Sequence, residues 1–189
     1  MVKLVQHYEF IVYKAGHRSP SHVPPITLNG PLLNKVIKCK YLGHKITECL
    51  SDDEDIERER RALAVRSNMV ARRFARGDAV VKTTLFRAFC QSFYSGSLWM
   101  SYTRRAYNAL RVQYNNAFRM LLNLPRFCSA SGMFADAQVD GFHAIMRKKA
   151  SSLLRRMRGS HNSILKTITA RLDCSIQKHW IETITGQIK

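Results

Sequence analysis

The sequence predicts an α+β fold, a small antiparallel sheet followed by a basic bundle of four to five helices. Two observations carry that expectation. The apolar period changes from 2 to about 3.6 near Asp53, as it does where strands give way to helices. Charge is divided at nearly the same place: residues 1–59 hold 8 basic and 8 acidic side chains, and residues 60–189 hold 23 and 5. The formal net charge of +18 therefore lies wholly in the part that reads as helical.

The first strand is expected over Tyr8–Lys14, YEFIVYK, where aromatic and β-branched residues alternate. Gly16 to Pro25 reads as a loop carrying Pro20, Pro24 and Pro25. Ile26-Thr27-Leu28 is a short strand closed by an Asn29-Gly30 turn signal. Val36 to Thr47, VIKCKYLGHKIT, alternates well enough to read as the longest strand. A sheet of this size is marginal alone and must lean on the helices.

A helix is expected over residues 53–76. Ser51 and Glu54 have capping-box spacing, and Asp52, Asp53, Glu54 and Asp55 crowd the end where the helix dipole favours negative charge. That reading is preferred to a metal site, because no partner carboxylate is anchored elsewhere. At about 100° per residue, Ile56, Leu63, Val70 and Phe74 form an apolar stripe. Arg58, Arg61, Arg72 and Arg76 fall near the opposite pole as an arginine rail. The second half of the rail lacks acidic partners, unlike an ordinary solvated face.

The second helix, about 79–95, is expected to bury Val81, Leu85, Phe89 and Phe93, with a break at Ser95-Gly96-Ser97. The third, about 104–123, should bury Tyr107, Leu110, Tyr114, Ala117 and Leu121 before Leu124-Pro125 stops it. Tyr107, Tyr114 and Phe118 are therefore expected to be core, although arginines flank them as they flank bases in single-strand binders. Residues 127–140 read as irregular. The fourth helix, about 141–158, should bury Phe142, Ile145, Met146, Leu153 and Met157 and present Arg147, Lys148, Arg155, Arg156 and Arg158. Ile164 to Leu172 gives a shorter fifth helix, and the tail from Asp173 is weakly patterned.

Composition narrows the function. A hydrophobic fraction of 46% and a charged fraction of 23% are those of a folded protein. A sequence pI near 10.2 points to a polyanionic partner, nucleic acid first. Five widely spaced cysteines without a C-x-x-C pair argue against a disulfide framework or zinc knuckle and fit a reducing compartment, nucleus or cytoplasm. No apolar run is long enough to cross a membrane, and Met1–His7 lacks the stretch of a signal peptide. Catalytic patterns are missing. There is no glycine-rich phosphate loop, Cys174 and His179 are too few for a metal site, and nothing local marks a Ser–His–Asp set. Phe134-Ala135-Asp136-Ala137 is like the aromatic-x-Asp-Asp hairpin of polymerases, but Ala137 stands where the second carboxylate is needed.

Lys40-Tyr41-Leu42-Gly43, within Val36–Thr47, resembles the strand that follows the catalytic palm motifs in reverse transcriptases of non-LTR (LINE-type) retrotransposons. Glu9–Tyr13 followed by Lys14-Ala15-Gly16 resembles the family's strand just upstream. An ordered series extends the likeness: Ile56–Val65, Thr83–Phe93, Arg111–Pro125 and Phe127–Phe134. It covers roughly residues 7 to 180. Where the family has Lys-Thr ahead of the first strand, this chain has His7-Tyr8.

The resemblance implies that Tyr41, Leu42 and Gly43 form a primer grip, and that the following helices are a thumb and carboxy-terminal segment holding a template–primer duplex. It divides the chain into a remnant palm edge with a primer-grip-like hairpin (1–50), a thumb-like helical region (51–125) and a carboxy-terminal helical segment (126–189). The catalytic aspartates would precede Met1, so the chain alone is expected to bind an RNA–DNA or other duplex without copying it. No cofactor is expected in it, since magnesium would require the missing palm. That palm, or another protein, could cover the exposed sheet. Rival expectations are a repurposed protein-interaction module and a non-functional retroelement remnant.

Overall fold

Near the amino terminus, residues of high β-propensity pair in short pieces, forming two small sheets instead of one. The computed structural model describes residues 8–14, 18, 22–171 and 173–187. The expectations resting on Met1–His7, on Ala15-Gly16, on Pro20 and on a helix end at Leu172 lie outside the described residues. β1 (Glu9–Ile11) pairs in parallel with β2 (Asn34–Val36), Phe10 opposite Lys35. β3 (Lys38–Tyr41) and β4 (His44–Thr47) form an antiparallel hairpin with Cys39 opposite Ile46.

The expected single strand Val36–Thr47 is thus folded back on itself. Leu42 (φ 47°) and Gly43 (φ 84°) both take the left-handed region, as a two-residue hairpin turn of matching twist requires. Asn29 (φ 54°) and Gly30 (φ 102°) make a similar turn, but the strand expected over Ile26–Leu28 shrinks to one bridge, Thr27 to Leu32.

Among the described residues there are seven helices, not four or five: α1 (Asp53–Arg73), α2 (Ala79–Cys90), α3 (Arg104–Leu121), α4 (Ala130–Asp136), α5 (Phe142–Arg158), α6 (Ser163–Ala170) and α7 (Ser175–Thr185). The additions are α4, in the stretch expected to be irregular, and α7, in the weakly patterned tail. The α+β class with a helical bundle holds, and β3–β4 is the antiparallel sheet within it.

α1 packs on α3 and α2, and α5 on α7 and α6. The larger core gathers Ile56, Leu63 and Val70 of α1 against Phe86, Leu110, Phe118 and their neighbours. At its centre the Tyr114 ring lies 5.1 Å from Phe86 and 5.3 Å from Phe134. The Tyr114 hydroxyl donates to the Asp140 carbonyl (2.7 Å) and accepts from Gln91 Nε2 (3.0 Å), so a buried polar tip is satisfied inside an aromatic cluster. A second, smaller core joins Ala150, Leu154 and Met157 of α5 to Trp180 of α7. Trp180 Nε1 donates to the Ser97 carbonyl at 2.7 Å, tying the last helix to the loop between α2 and α3. Gln177, fully buried, donates to the carbonyls of Ile168 and Arg171 and seals the α6–α7 corner.

The stripes of α1, α3 and α5 fall largely where their periods place them. Phe74 is an exception: α1 ends at Arg73, and Phe74 is an exposed cap residue. Leu153 is half-buried while Leu154 takes the core position. α2 differs more. It buries Lys82, Thr83, Phe86 and Cys90, and the expected core residues Val81 and Phe89 are exposed. Only Phe93, beyond the end of α2, is fully buried as expected, with Leu85 half-buried against the core.

Candidate nucleic-acid interface

Tyr41, Leu42 and Gly43 sit at the hairpin tip. Tyr41 is 64% and Leu42 74% exposed, large apolar groups held out of the core. A side chain at Gly43 would meet the Tyr94 ring at 3.8 Å, so an exposed tyrosine from the α2–α3 loop stands beside the turn.

The hairpin is fixed to the helices by the acidic cluster that was expected to cap α1. Asp52 is the N-cap residue, yet its side chain makes no capping bond. Its Oδ2 accepts instead from the backbone N–H groups of Met100 (2.7 Å) and Ser101 (2.9 Å), and Asp53 Oδ1 accepts from Thr103 N–H (2.7 Å). Glu54 does not reach back to complete a capping box. It lies 3.2 Å from Lys38 Nζ and 3.7 Å from Lys45 Nζ on the hairpin. The cluster is a clasp between three segments because long-range donors outcompete the local ones.

Asp55 is its buried centre, fully shielded from solvent. It accepts from Lys45 N–H (3.0 Å), Arg58 Nε (2.8 Å), the Ser95 hydroxyl (2.5 Å) and Trp99 Nε1 (2.8 Å). Burial pushes its carboxyl pKa up, but these hydrogen bonds, led by Arg58, outweigh burial and hold it at about 2. His44 lies between the two acids, Nδ1 3.1 Å from Asp55 and Nε2 3.4 Å from Asp52.

This clasp corrects the arginine rail. Arg58 is an inward-turned partner of Asp55 and Glu59, 26% exposed, and unsuited to phosphate contact. Arg61 is exposed but its Nε donates to Glu57 at 2.8 Å. Arg60 forks onto Glu57 at 2.6 and 2.8 Å, and its hydrogen bonds, joined by that of Arg61, outweigh the opposing effect of burial and pull the Glu57 carboxyl down to about 2. Arg72 is exposed and makes no ion pair among the described residues, and Arg76 is exposed in the turn beyond the helix end. Arg73, not expected, is exposed beside Arg72. The outer pole of α1 also carries Val65 (68% exposed) and Met69 (44%) between the arginines.

The α5 cations are better gathered. Arg147, Lys148, Arg155, Arg156 and Arg158 are all exposed. Arg147, Lys148 and Arg155 line one groove of about 360 Å³ between α5 and α7, with Ser151 and Ser152. Lys148 pairs with Asp140 at 2.5 Å, and the four arginines have no carboxylate partner among the described residues. α5 itself contains no acidic residue.

Phe134 of the polymerase-like string packs in the core, stacked on Tyr114, while Asp136 is exposed at the end of α4. No group of three or more His, Cys, Asp and Glu that could hold a metal exists among the described residues. Among the same residues, no helix is long and apolar enough to cross a membrane. No family model, curated protein or solved structure matches the chain.

Proposed function

We propose that the chain is the primer-grip and thumb portion of an RNA-directed DNA polymerase of the non-LTR retrotransposon kind, a nucleic-acid-binding piece and not a complete enzyme. The observation that carries the reading is the pairing of an exposed Tyr41–Leu42 turn with a helical body that holds the whole charge excess. The Asp55 clasp supports it, since a grip must be rigid with respect to the thumb to seat a strand end. Leu42 supports it too. A bulky residue in the left-handed region is strained by roughly 1–2 kcal/mol, and such strain is retained where an exposed side chain has work to do.

Duplex phosphates are contacted by Arg155, Arg156, Arg158 and Arg147 of α5, with Arg72 and Arg76 at the far end of α1. Guanidinium forks suit phosphate oxygens, and these arginines have no competing carboxylates. Arg58 and Arg61 are removed from that role.

Titrating an RNA–DNA hybrid at several salt concentrations tests the proposal. Arg155→Ala, Arg156→Ala and Arg158→Ala should each weaken binding and lower the salt slope by about 1. An unchanged slope in all three would overturn it. The reading as a protein-docking module, favoured by exposed Val65 and Met69 on the α1 pole, would then take precedence.

A further inference from the structure

Beyond duplex binding, and sharing only Arg147 with the proposed duplex face, a cavity of about 440 Å³ lies where the start of α3, the start of α5 and the end of α7 meet. Its size is that of a small-ligand site. Arg104 and Asn108 of α3 and His143 and Arg147 of α5 line it, with no carboxylate among the described lining residues. Neither Arg104 nor Arg147 has a hydrogen-bond or ion-pair partner among the described residues. Tyr102 and Tyr107, stacked at 4.9 Å with ring planes 16° apart, supply an aromatic wall.

Arg111, which lines a neighbouring groove together with His143 and Arg147, has its Nε buried without a hydrogen-bond partner. Burial first, then the guanidinium groups of Arg111 and Arg147, push the His143 pKa down. Arg111 and Arg147 act on the imidazole with no carboxylate among the described lining residues of the cavity, and a bound anion relieves that crowding of positive charge.

We propose that this cavity binds the phosphate monoester of a single nucleotide, the phosphate between Arg104, His143 and Arg147 and the base against the Tyr102–Tyr107 wall. A guanidinium pair grips a dianionic phosphate, and an aromatic wall accepts any base. Two sources share that chemistry, a 5′-phosphorylated strand end and a free nucleotide.

The test uses the full chain and short single-stranded oligonucleotides labelled at the 3′ end, with either a 5′-phosphate or a 5′-hydroxyl. The 5′-phosphate strand should bind about tenfold or more tightly, the worth of one charge-assisted contact set. Arg104→Ala/Arg147→Ala should abolish that preference, while Lys166→Ala/Lys178→Ala, with the same charge loss, should keep it. Arg147→Lys and His143→Gln, milder changes, should each reduce it if the double variant fails to fold.

Adenosine monophosphate should compete. Competition at the affinity of the phosphorylated strand identifies a free nucleotide as occupant, and much weaker competition identifies a strand end; both keep the proposal. Equal binding of the two strands, persistence of the preference in a folded Arg104→Ala/Arg147→Ala variant, or displacement by inorganic phosphate as effective as by the nucleotide would overturn it.

Discussion

α1 and α5 are both long, amphipathic and rich in arginine, yet their arginines are not equivalent. α1 carries Asp53, Glu54, Asp55, Glu57 and Glu59, and the last three bind Arg58, Arg60, Arg61 and Arg66 at N–O distances of 2.6–3.5 Å. α5 has no acid of its own, and only Lys148 meets one, Asp140. A helical wheel places both arginine sets opposite a core stripe and cannot tell them apart. What separates them is the count of carboxylates within one or two turns, since a guanidinium already forked onto a carboxylate has spent the donors a phosphate would need. Over the first two thirds of α1 the charge builds structure; on α5, as at Arg72 near the end of α1, it remains available.

The sharpest way to break this contrast is to remove the acid on which the α1 side depends. Asp55→Ala should cost about 3–5 kcal/mol, because it strands Arg58, Ser95 and Trp99 without their common acceptor. Urea unfolding should show a lowered midpoint, whereas Arg155→Ala on α5 should leave it within about 0.5 kcal/mol. Equal effects at the two sites would refute the distinction.

A second comparison uses acid. The folded pKa of Asp55, about 2, lies below the ordinary carboxylate value, so its contribution is fully present above about pH 4 and is lost as pH falls towards 2. Glu57 is depressed in the same way, but it is more exposed and solvent screening weakens its part. Denaturation measured from pH 5 to pH 2 should therefore show falling stability, and the fall should be shallower in Asp55→Ala. A profile of unchanged slope in that variant would assign the acid sensitivity elsewhere.

The smallest effect concerns the hairpin tip. Leu42→Gly removes left-handed strain and should stabilise the fold by about 1 kcal/mol, while weakening binding to a primer–template duplex. A stabilised variant with unaltered binding would make Leu42 a strained residue without a grip role.

Strong helical periods were legible in the sequence wherever one face alone is apolar, as for Leu110, Tyr114, Ala117 and Leu121 of α3. α2 misled because a four-residue repeat turns by about 40° at each step. Val81, Leu85, Phe89 and Phe93 therefore cannot share one face, and the core selects Phe86 and Cys90. α7 was obscured by Ile176, Ile181, Thr183, Ile184 and Thr185, β-branched residues of modest helix propensity, although Gly186 supplied a visible stop in the left-handed region. Alternation alone hides the Leu42-Gly43 turn, because a two-residue turn preserves the pattern on either side; the primer-grip resemblance of Tyr41-Leu42-Gly43 pointed to the hairpin that β3 and β4 form.

For the site, Arg147, Lys148, Arg155, Arg156 and Arg158 could be read from one helix. Arg58 could not, because its partners Ser95 and Asp55 meet only after the α2–α3 loop returns to α1. The cavity under Tyr102 and Tyr107 likewise draws on three helices distant in the chain.

The bond from Trp180 to the Ser97 carbonyl spans 83 residues of chain. During synthesis at about 5–20 residues per second, the loop at Ser97 emerges roughly 4–17 s before the tryptophan that latches it. For roughly the last 1–4 s of that interval a finished α5 has no Trp180 to cover Leu154 and Met157. The amino-terminal core and the Asp55 clasp can close in this time without the tail. The last helix then arrives as a bolt on a body already formed, and a nascent chain halted before Trp180 would carry the apolar side of α5 open to other chains.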